Sequence, residues 1–182
     1  MSLEQLKMRI PSYAKDIKLN LEAILSNTEA VNLKSIQITG MVLAAAYAAK
    51  QVDLIQNLEA YAREQGIDEA ALCGIKAAAS VMAMNNIYYR STHLIQDTTY
   101  MKLPAKLRMN VIANPGIEKQ DFELYCFVVS AVNGCGMCLD SHAKTLIASG
   151  FGQEEIQYSL RIAAIVHALA QVFVIENSSF LS

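Results

Sequence analysis

Apolar residues recur at helical spacing through most of this chain, and no stretch alternates with the period of two that predicts a β-strand. Asp68 and Gln153 each precede acidic residues, a pattern that favours the start of a helix. Alanine-rich segments, composed largely of strong helix formers, follow one another along the sequence: MVLAAAYAAK (41–50), AALCGIKAAASVMAM (70–84) and SLRIAAIVHALAQ (159–171). The pattern therefore predicts an all-α fold.

A proline-containing connector at residues 98–116 separates two weakly similar halves. Gly66–Leu72 matches Gly150–Ile156 at an offset of 84 residues, and each half is expected to contain a helix, a turn, a second helix and a longer third helix. Chance similarity between alanine-rich helices is the alternative explanation. We predict a single domain over residues 1–182, with a degenerate internal repeat at about 30–97 and 117–180.

Composition and charge narrow the class of protein. Hydrophobic residues make up 53% of the chain and charged residues 18%, which excludes intrinsic disorder. A net charge of −2 gives no electrostatic basis for nucleic-acid binding. Such an apolar chain has hydrophobic surface to spare, and we therefore expect an oligomer.

Membrane insertion and secretion are not expected. Charge-free stretches such as residues 124–139 and 162–175 are shorter than the roughly 20 apolar residues of a spanning helix. The N-terminal segment lacks the apolar run of a signal peptide. These features predict a cytoplasmic protein. Because passive disulfides are rare in that compartment, a closely spaced cysteine pair there points to redox or metal chemistry.

Such a pair occurs in the motif Cys135-x-x-Cys138-x-x-x-His142. Glycines at 134 and 136 interrupt an incoming helix, so both cysteines are predicted near the N-terminus of the next one. The helix dipole favours a thiolate at that position. His142 follows Cys138 by four residues and shares its helical face. The spacing thus supplies a nucleophile, a second thiol that can resolve the first, and a base.

Glu123 is the other candidate polar group. It lies twelve residues before Cys135, about 18 Å along a continuous helix, and it reaches the thiols only if the chain turns back at Asn133-Gly134. The carboxylate would then orient His142 or take its proton. A solvated glutamate near a helix start is the equally weighted alternative.

Glu123 followed by Cys135-x-x-Cys138-x-x-x-His142 resembles the alkyl hydroperoxide reductase AhpD family of the carboxymuconolactone decarboxylase-like superfamily. The resemblance extends through RMNVIANPGIEKQDFELYCFVVSAVNGCGMCLDSHAKTL and, more loosely, over the whole chain. It implies an AhpD-like all-helical fold with two internally repeated halves and one redox site in the C-terminal half. It also implies a homotrimer that reduces alkyl hydroperoxides and regenerates the peroxiredoxin AhpC.

The resemblance further implies that electrons arrive from dihydrolipoamide on a lipoyl-bearing dehydrogenase-complex subunit, with no tightly bound cofactor. Our leading hypothesis is a two-cysteine thiol peroxidase and thiol–disulfide reductase. Cys138 would attack the peroxide and become a sulfenic acid, Cys135 would donate a proton and then form the disulfide, His142 would act as base, and Glu123 would relay the proton. Some family members carry a second histidine where this chain has Met137, so this chain lacks that proton carrier.

Three alternatives to this hypothesis remain. Cys135, Cys138 and His142 have the spacing of zinc ligands, but a structural zinc site needs a fourth ligand. A lactone decarboxylase on the same fold would leave the two cysteines unexplained, as would a purely structural oligomerisation module. Outside the motif, Cys73 and Cys126 are predicted to be buried inert thiols. His167 is predicted to lie in the core, and His93 is predicted to be solvated.

Overall fold

The computed structural model describes residues 3–26 and 31–179, and within these ranges the chain forms helices and no β-strand. The all-α prediction is confirmed. The helices, in chain order, are α1 (Leu3–Met8), α2 (Lys15–Ser26), α3 (Ser35–Ala49), α4 (Val52–Glu64), α5 (Glu69–Leu94), α6 (Thr99–Lys102), α7 (Asn110–Ala113), α8 (Lys119–Val132), α9 (Gly136–Ala148) and α10 (Gln153–Ser179). A single 3₁₀ turn, Ser12–Ala14, precedes α2.

Both predicted helix starts are found. Asp68 is the N-cap of α5, and its carboxylate accepts a hydrogen bond of 2.8 Å from the backbone N–H of Ala71. Gln153 is the first residue of α10, and acidic residues occupy the first turn of that helix. The predicted connector at residues 98–116 contains only the short helices α6 and α7.

The internal repeat is visible in the positions of the helices. The helices α3, α4 and α5 begin at Ser35, Val52 and Glu69, and each start lies 84 residues before that of α8, α9 or α10. The packing repeats in the same way: α5 packs against α8, and its equivalent α10 packs against α3, the equivalent of α8. Two internally repeated helical halves are therefore present, as predicted.

The centre of the fold is the crossing of α3 and α8. Gly40 on α3 lies directly against the ring of Tyr125 on α8, where a Cβ atom would approach Tyr125 Cζ to 2.6 Å. Tyr125 is buried in the hydrophobic core, which lies between the two halves. A side chain at position 40 would push the central helices apart. The crossing fixes the position of α8, the helix that carries Glu123.

Two helices are long and apolar enough to cross a membrane, judged by length and composition alone: Glu69–Leu94 and Gln153–Ser178. Both helices contain charged residues, so the length of a charge-free stretch does not identify them. About half of each apolar window is buried inside the protein, with 44% for the first and 50% for the second. Core helices of water-soluble proteins meet the same criteria. The absence of a membrane partner therefore stays a prediction.

Candidate active site

A tight turn between α8 and α9 builds the candidate site. Helix α8 ends at Val132, Asn133 is its C-cap, and Gly134 adopts a left-handed conformation with φ of +67°. The backbone N–H of Cys135 then bonds to the carbonyl of Ser130. This geometry reverses the chain at the two residues where the sequence permits it. As a result, the inner faces of α8 and α9 lie side by side.

The two motif cysteines lie at the N-terminus of α9 and form a disulfide with each other. Cys135 is the N-cap residue, and its sulfur accepts a hydrogen bond of 3.4 Å from the backbone N–H of Cys138. Cys135 is fully buried, whereas Cys138 keeps 6% of its surface exposed. Because unpaired N–H groups and the helix dipole converge here, a thiolate released from this disulfide is stabilised.

Glu123 faces His142 across the turn. Its Oε2 lies 2.6 Å from His142 Nδ1, and both side chains are buried, with exposures of 5% and 8%. The alternative of a solvated glutamate is therefore wrong. A carboxylate accepts only, so Nδ1 carries the hydrogen of this bond. The contact fixes the orientation of the ring and provides a negative charge beside any positive charge that forms on it.

The other ring nitrogen of His142 faces helix α5. Its Nε2 lies 3.2 Å from the sulfur of Met82, which is itself buried. A thioether sulfur accepts hydrogen bonds weakly and cannot donate them. When the ring is protonated, Nδ1 can therefore donate to Glu123 and Nε2 to Met82. Among the described residues, no hydrogen bond joins His142 to either cysteine sulfur in this disulfide form.

Asparagine side chains on α5 also reach the site, which the sequence analysis missed. Asn86 is fully buried, donates to Ser130 Oγ at 2.9 Å and accepts from Asn133 Nδ2 at 2.9 Å. Arg90 donates to the carbonyl oxygen of Asn133. Together these bonds hold the turn that carries the cysteines. Two adjacent asparagines within the otherwise mainly apolar stretch 81–89 were the available signal.

A pocket of about 250 Å³ opens onto the disulfide from the side of α5. Cys138 lines this pocket, whereas Cys135 lies behind it and is shielded. A reagent that enters the pocket therefore meets the Cys138 sulfur first. The residues lining the pocket are Asn85, Tyr89, Met137, Cys138, Ser141 and His142.

Comparison with known proteins agrees with this geometry. The carboxymuconolactone decarboxylase family model matches residues 98–174, which contain the whole motif. An alkyl hydroperoxide reductase AhpD of Coxiella burnetii is 55% identical over 177 residues, covering 97% of this chain and 99% of the relative. A protein of the same name from Rhodospirillum centenum is 49% identical, over 94% of this chain and 90% of its own length. One from Streptomyces coelicolor is 48% identical, over 93% of this chain and 93% of its own length.

The chain belongs to the AhpD family. The predictions of family and of an oxidoreductase are thereby confirmed. The motif of this AhpD-family chain lies in the C-terminal half, as expected. At the three equivalent positions of the N-terminal half, 84 residues earlier, stand Gln51, Leu54 and Leu58, and both leucines are core residues.

Two predictions about residues outside the motif are wrong. Cys73 is exposed because it lies on the outer face of α5. His167 is also exposed, and it lines an apolar groove formed by α8, α9 and α10. Cys126 is buried as predicted, and its burial, together with the nearby Glu123 charge, raises the pKa of its thiol well above the ordinary value. His93 is exposed, as expected.

The zinc alternative finds no support in the donor geometry. In residues 3–26 and 31–179, no group of three or more histidine, cysteine, aspartate or glutamate side chains is arranged to hold a metal ion. Cys135 and Cys138 bond to each other, and His142 turns its two nitrogens towards Glu123 and Met82. In this arrangement the three side chains do not converge on a common point where a metal ion could bind.

Proposed function

We propose that this AhpD-family protein is a thiol peroxidase and thiol–disulfide reductase that acts on alkyl hydroperoxides. The observation that carries the proposal is the disulfide at the N-terminus of α9 beside a buried glutamate–histidine pair. The names of the relatives support the same substrate class. A lactone decarboxylase would leave both the disulfide and the helix-capping sulfur without a role.

Cys138 attacks the peroxide in this mechanism. Its proton passes to His142, and the Glu123 carboxylate stabilises the imidazolium that forms. The thiolate bonds to the terminal oxygen of the hydroperoxide, the O–O bond breaks, and the alkoxide takes a proton from the thiol of Cys135. The products of this step are an alcohol, a sulfenic acid on Cys138 and a thiolate on Cys135.

The disulfide then forms in a second step. The Cys135 thiolate, capped by the N–H of Cys138, attacks the Cys138 sulfur. The S–O bond breaks, and hydroxide leaves as water with the proton held on His142. In total, two thiols and one hydroperoxide give one disulfide, one alcohol and one water.

Regeneration requires an external dithiol. We propose dihydrolipoamide on a dehydrogenase-complex subunit as the donor, and AhpC as a disulfide partner that the reduced protein regenerates. In the reduced protein the Cys138 thiolate attacks the AhpC disulfide, and in the oxidised protein dihydrolipoamide attacks the Cys138 sulfur, because Cys138 lines the pocket while Cys135 is buried. Cys135 then leaves as the thiolate that the α9 terminus stabilises. A disulfide that must be reduced in each cycle also favours a cytoplasmic location.

We further propose that the protein assembles as a homotrimer. Apolar side chains remain exposed on the outer faces of α9 and α10, where Ile147, Leu160 and Val174 are 54%, 40% and 50% exposed. The neighbouring groove that His167 lines is also mainly apolar. Closed cyclic assembly covers such a repeated surface without leaving an open edge.

Thiol-specific variants test the chemistry. Cys138→Ser should abolish hydroperoxide consumption, while Cys135→Ser should accumulate a sulfenic acid on Cys138 that a dimedone reagent traps. Peptide mass spectrometry locates the adduct, and Cys126 in the same sample serves as the buried control thiol. Equal trapping on Cys126, or full peroxide turnover by Cys138→Ser, would contradict the assignment.

A further inference from the structure

Asn85 is a buried polar residue that the mechanism above leaves unused. It lies on α5, is 3% exposed, and lines the pocket together with Cys138 and His142. Its Oδ1 has no hydrogen-bond partner among the residues that the structure describes. An unpaired buried acceptor destabilises a fold, so a buried acceptor beside a reactive site calls for a functional explanation.

The internal repeat shows that the scaffold itself does not require an asparagine here. The equivalent of Asn85 in the other half is Leu169 on α10, which is fully buried. In the N-terminal half, the residues equivalent to Cys138 and His142 are Leu54 and Leu58, and both are core residues. The polar residue therefore accompanies the redox motif and not the helix packing.

The neighbouring Asn86 has a different role. Both ends of its carboxamide are occupied, by Ser130 and Asn133, in the network that holds the turn. Asn85 has no such bond at its oxygen, although it lies only one residue away and is almost as deeply buried. The structural contribution of α5 is thus made by Asn86, and Asn85 remains available for a ligand that donates a hydrogen bond.

We propose that Asn85 Oδ1 accepts the O–H hydrogen of the hydroperoxide and directs its terminal oxygen to Cys138. This inference rests on the proposed peroxidase function. The terminal oxygen is the atom that Cys138 attacks: the S–O bond forms, the O–O bond breaks, and the alkoxide takes its proton from Cys135. The hydroxyl hydrogen stays on the transferred oxygen throughout, so the sulfenic acid donates the same hydrogen bond to Asn85.

The test measures oxidation by hydroperoxide and reduction by dihydrolipoamide separately in the variant Asn85→Leu. Leucine is chosen because Leu169 is the equivalent residue in the other half. Reduced protein is mixed with hydroperoxide under anaerobic conditions. The reaction is quenched with an alkylating reagent, and disulfide formation is measured by mass spectrometry. The second-order rate constant should fall about tenfold, the typical effect of one lost hydrogen bond. Reduction of the disulfide by dihydrolipoamide should fall by a clearly smaller factor, since the dithiol enters the same pocket but has no hydroperoxide O–H group for Asn85 to bind.

A matched control is Asn57→Leu. Asn57 is also a buried asparagine on a helix, where it donates to the carbonyl of Asp53 in α4, outside the pocket. Both rate constants of Asn57→Leu should equal those of the wild type. Asn85→Ala is the second variant, and it should reproduce the loss of peroxide reactivity if leucine at this position disturbs folding.

Substrate size separates binding of the O–H group from a packing effect. Hydrogen peroxide and cumene hydroperoxide share the O–H group, so Asn85→Leu should slow both by the same factor. A loss that grows with the size of the alkyl group, an equal loss in disulfide reduction, or unchanged peroxide reactivity would each overturn the inference. A wild-type protein that forms no disulfide with any hydroperoxide would instead refute the proposed function, and this inference with it.

Discussion

Glu123→Gln removes a charge from the site and changes almost nothing else. In the wild-type protein, His142 Nδ1 lies 2.6 Å from a carboxylate oxygen of Glu123. Glutamine has the same shape, and its amide oxygen can still accept the hydrogen of Nδ1. Both side chains are buried, so water does not replace the missing charge. The variant should fold and assemble, but it should no longer stabilise the imidazolium that forms when Cys138 loses its proton.

The size of the defect follows from the strength of that contact. A buried hydrogen bond to a charged group contributes about 1.5–3 kcal/mol, and a neutral partner recovers only part of it. Each 1.4 kcal/mol is a factor of ten, so complete loss of the contact would slow the reaction of Cys138 with hydroperoxide at pH 7 by about 10- to 150-fold. Because the glutamine keeps a neutral hydrogen bond, the expected defect is at the lower end, about tenfold. The loss should shrink as the pH approaches about 8.5, where a free thiol ionises without assistance.

The assay is the second-order rate of disulfide formation by reduced protein between pH 6 and 8.5. Glu118→Gln is the matched control, because Glu118 is the exposed N-cap residue of the same helix and undergoes the same chemical change. Its rate should equal that of the wild type at every pH. Glu123→Gln with wild-type rates across the whole range would refute the relay, even though the two side chains are in contact.

Three further predictions concern accessibility, packing and assembly. In the folded, oxidised protein a thiol reagent should label Cys73 rapidly and Cys126 only after unfolding, because burial raises the pKa of Cys126; rapid labelling of Cys126 would contradict this. Gly40→Ala should lower the melting temperature by about 2–12 °C through overpacking of roughly 1–3 kcal/mol against Tyr125, whereas Gly136→Ala, which meets no atom within 4 Å, should not. Sedimentation equilibrium should give a trimer of 20.0 kDa chains, and a species of 20.0 kDa alone would exclude it.

The sequence predicted the local part of the site well because that part depends on short-range rules. Glycine at 134 allows a left-handed turn, and four-residue spacing places Cys138 and His142 on one helical face. The choice between a solvated and a buried Glu123 could not be made in this way. It depends on whether two helices pack face to face, which is a tertiary property.

The contribution of α5 was beyond local rules for the same reason. Met82 and Asn86 are more than forty residues from the atoms they contact in the site. Helical periodicity also gave the wrong burial where an apolar helix face does not pack against another part of the same chain. Cys73 and His167 have apolar neighbours in sequence, and both are exposed. Apolar neighbours along the chain therefore did not establish burial.

The N-cap positions of α4 and α9 are equivalent in the repeat, and both carry a side chain that caps its helix. At the start of α4, Gln51 is the N-cap, and its Oε1 accepts a hydrogen bond of 2.5 Å from the backbone N–H of Leu54. At the start of α9, the Cys135 sulfur accepts from the N–H of Cys138. Each helix needs an acceptor there, because its first N–H groups have no partner within the helix. Cys135 meets this structural need, and the same N–H group stabilises its thiolate when the disulfide opens.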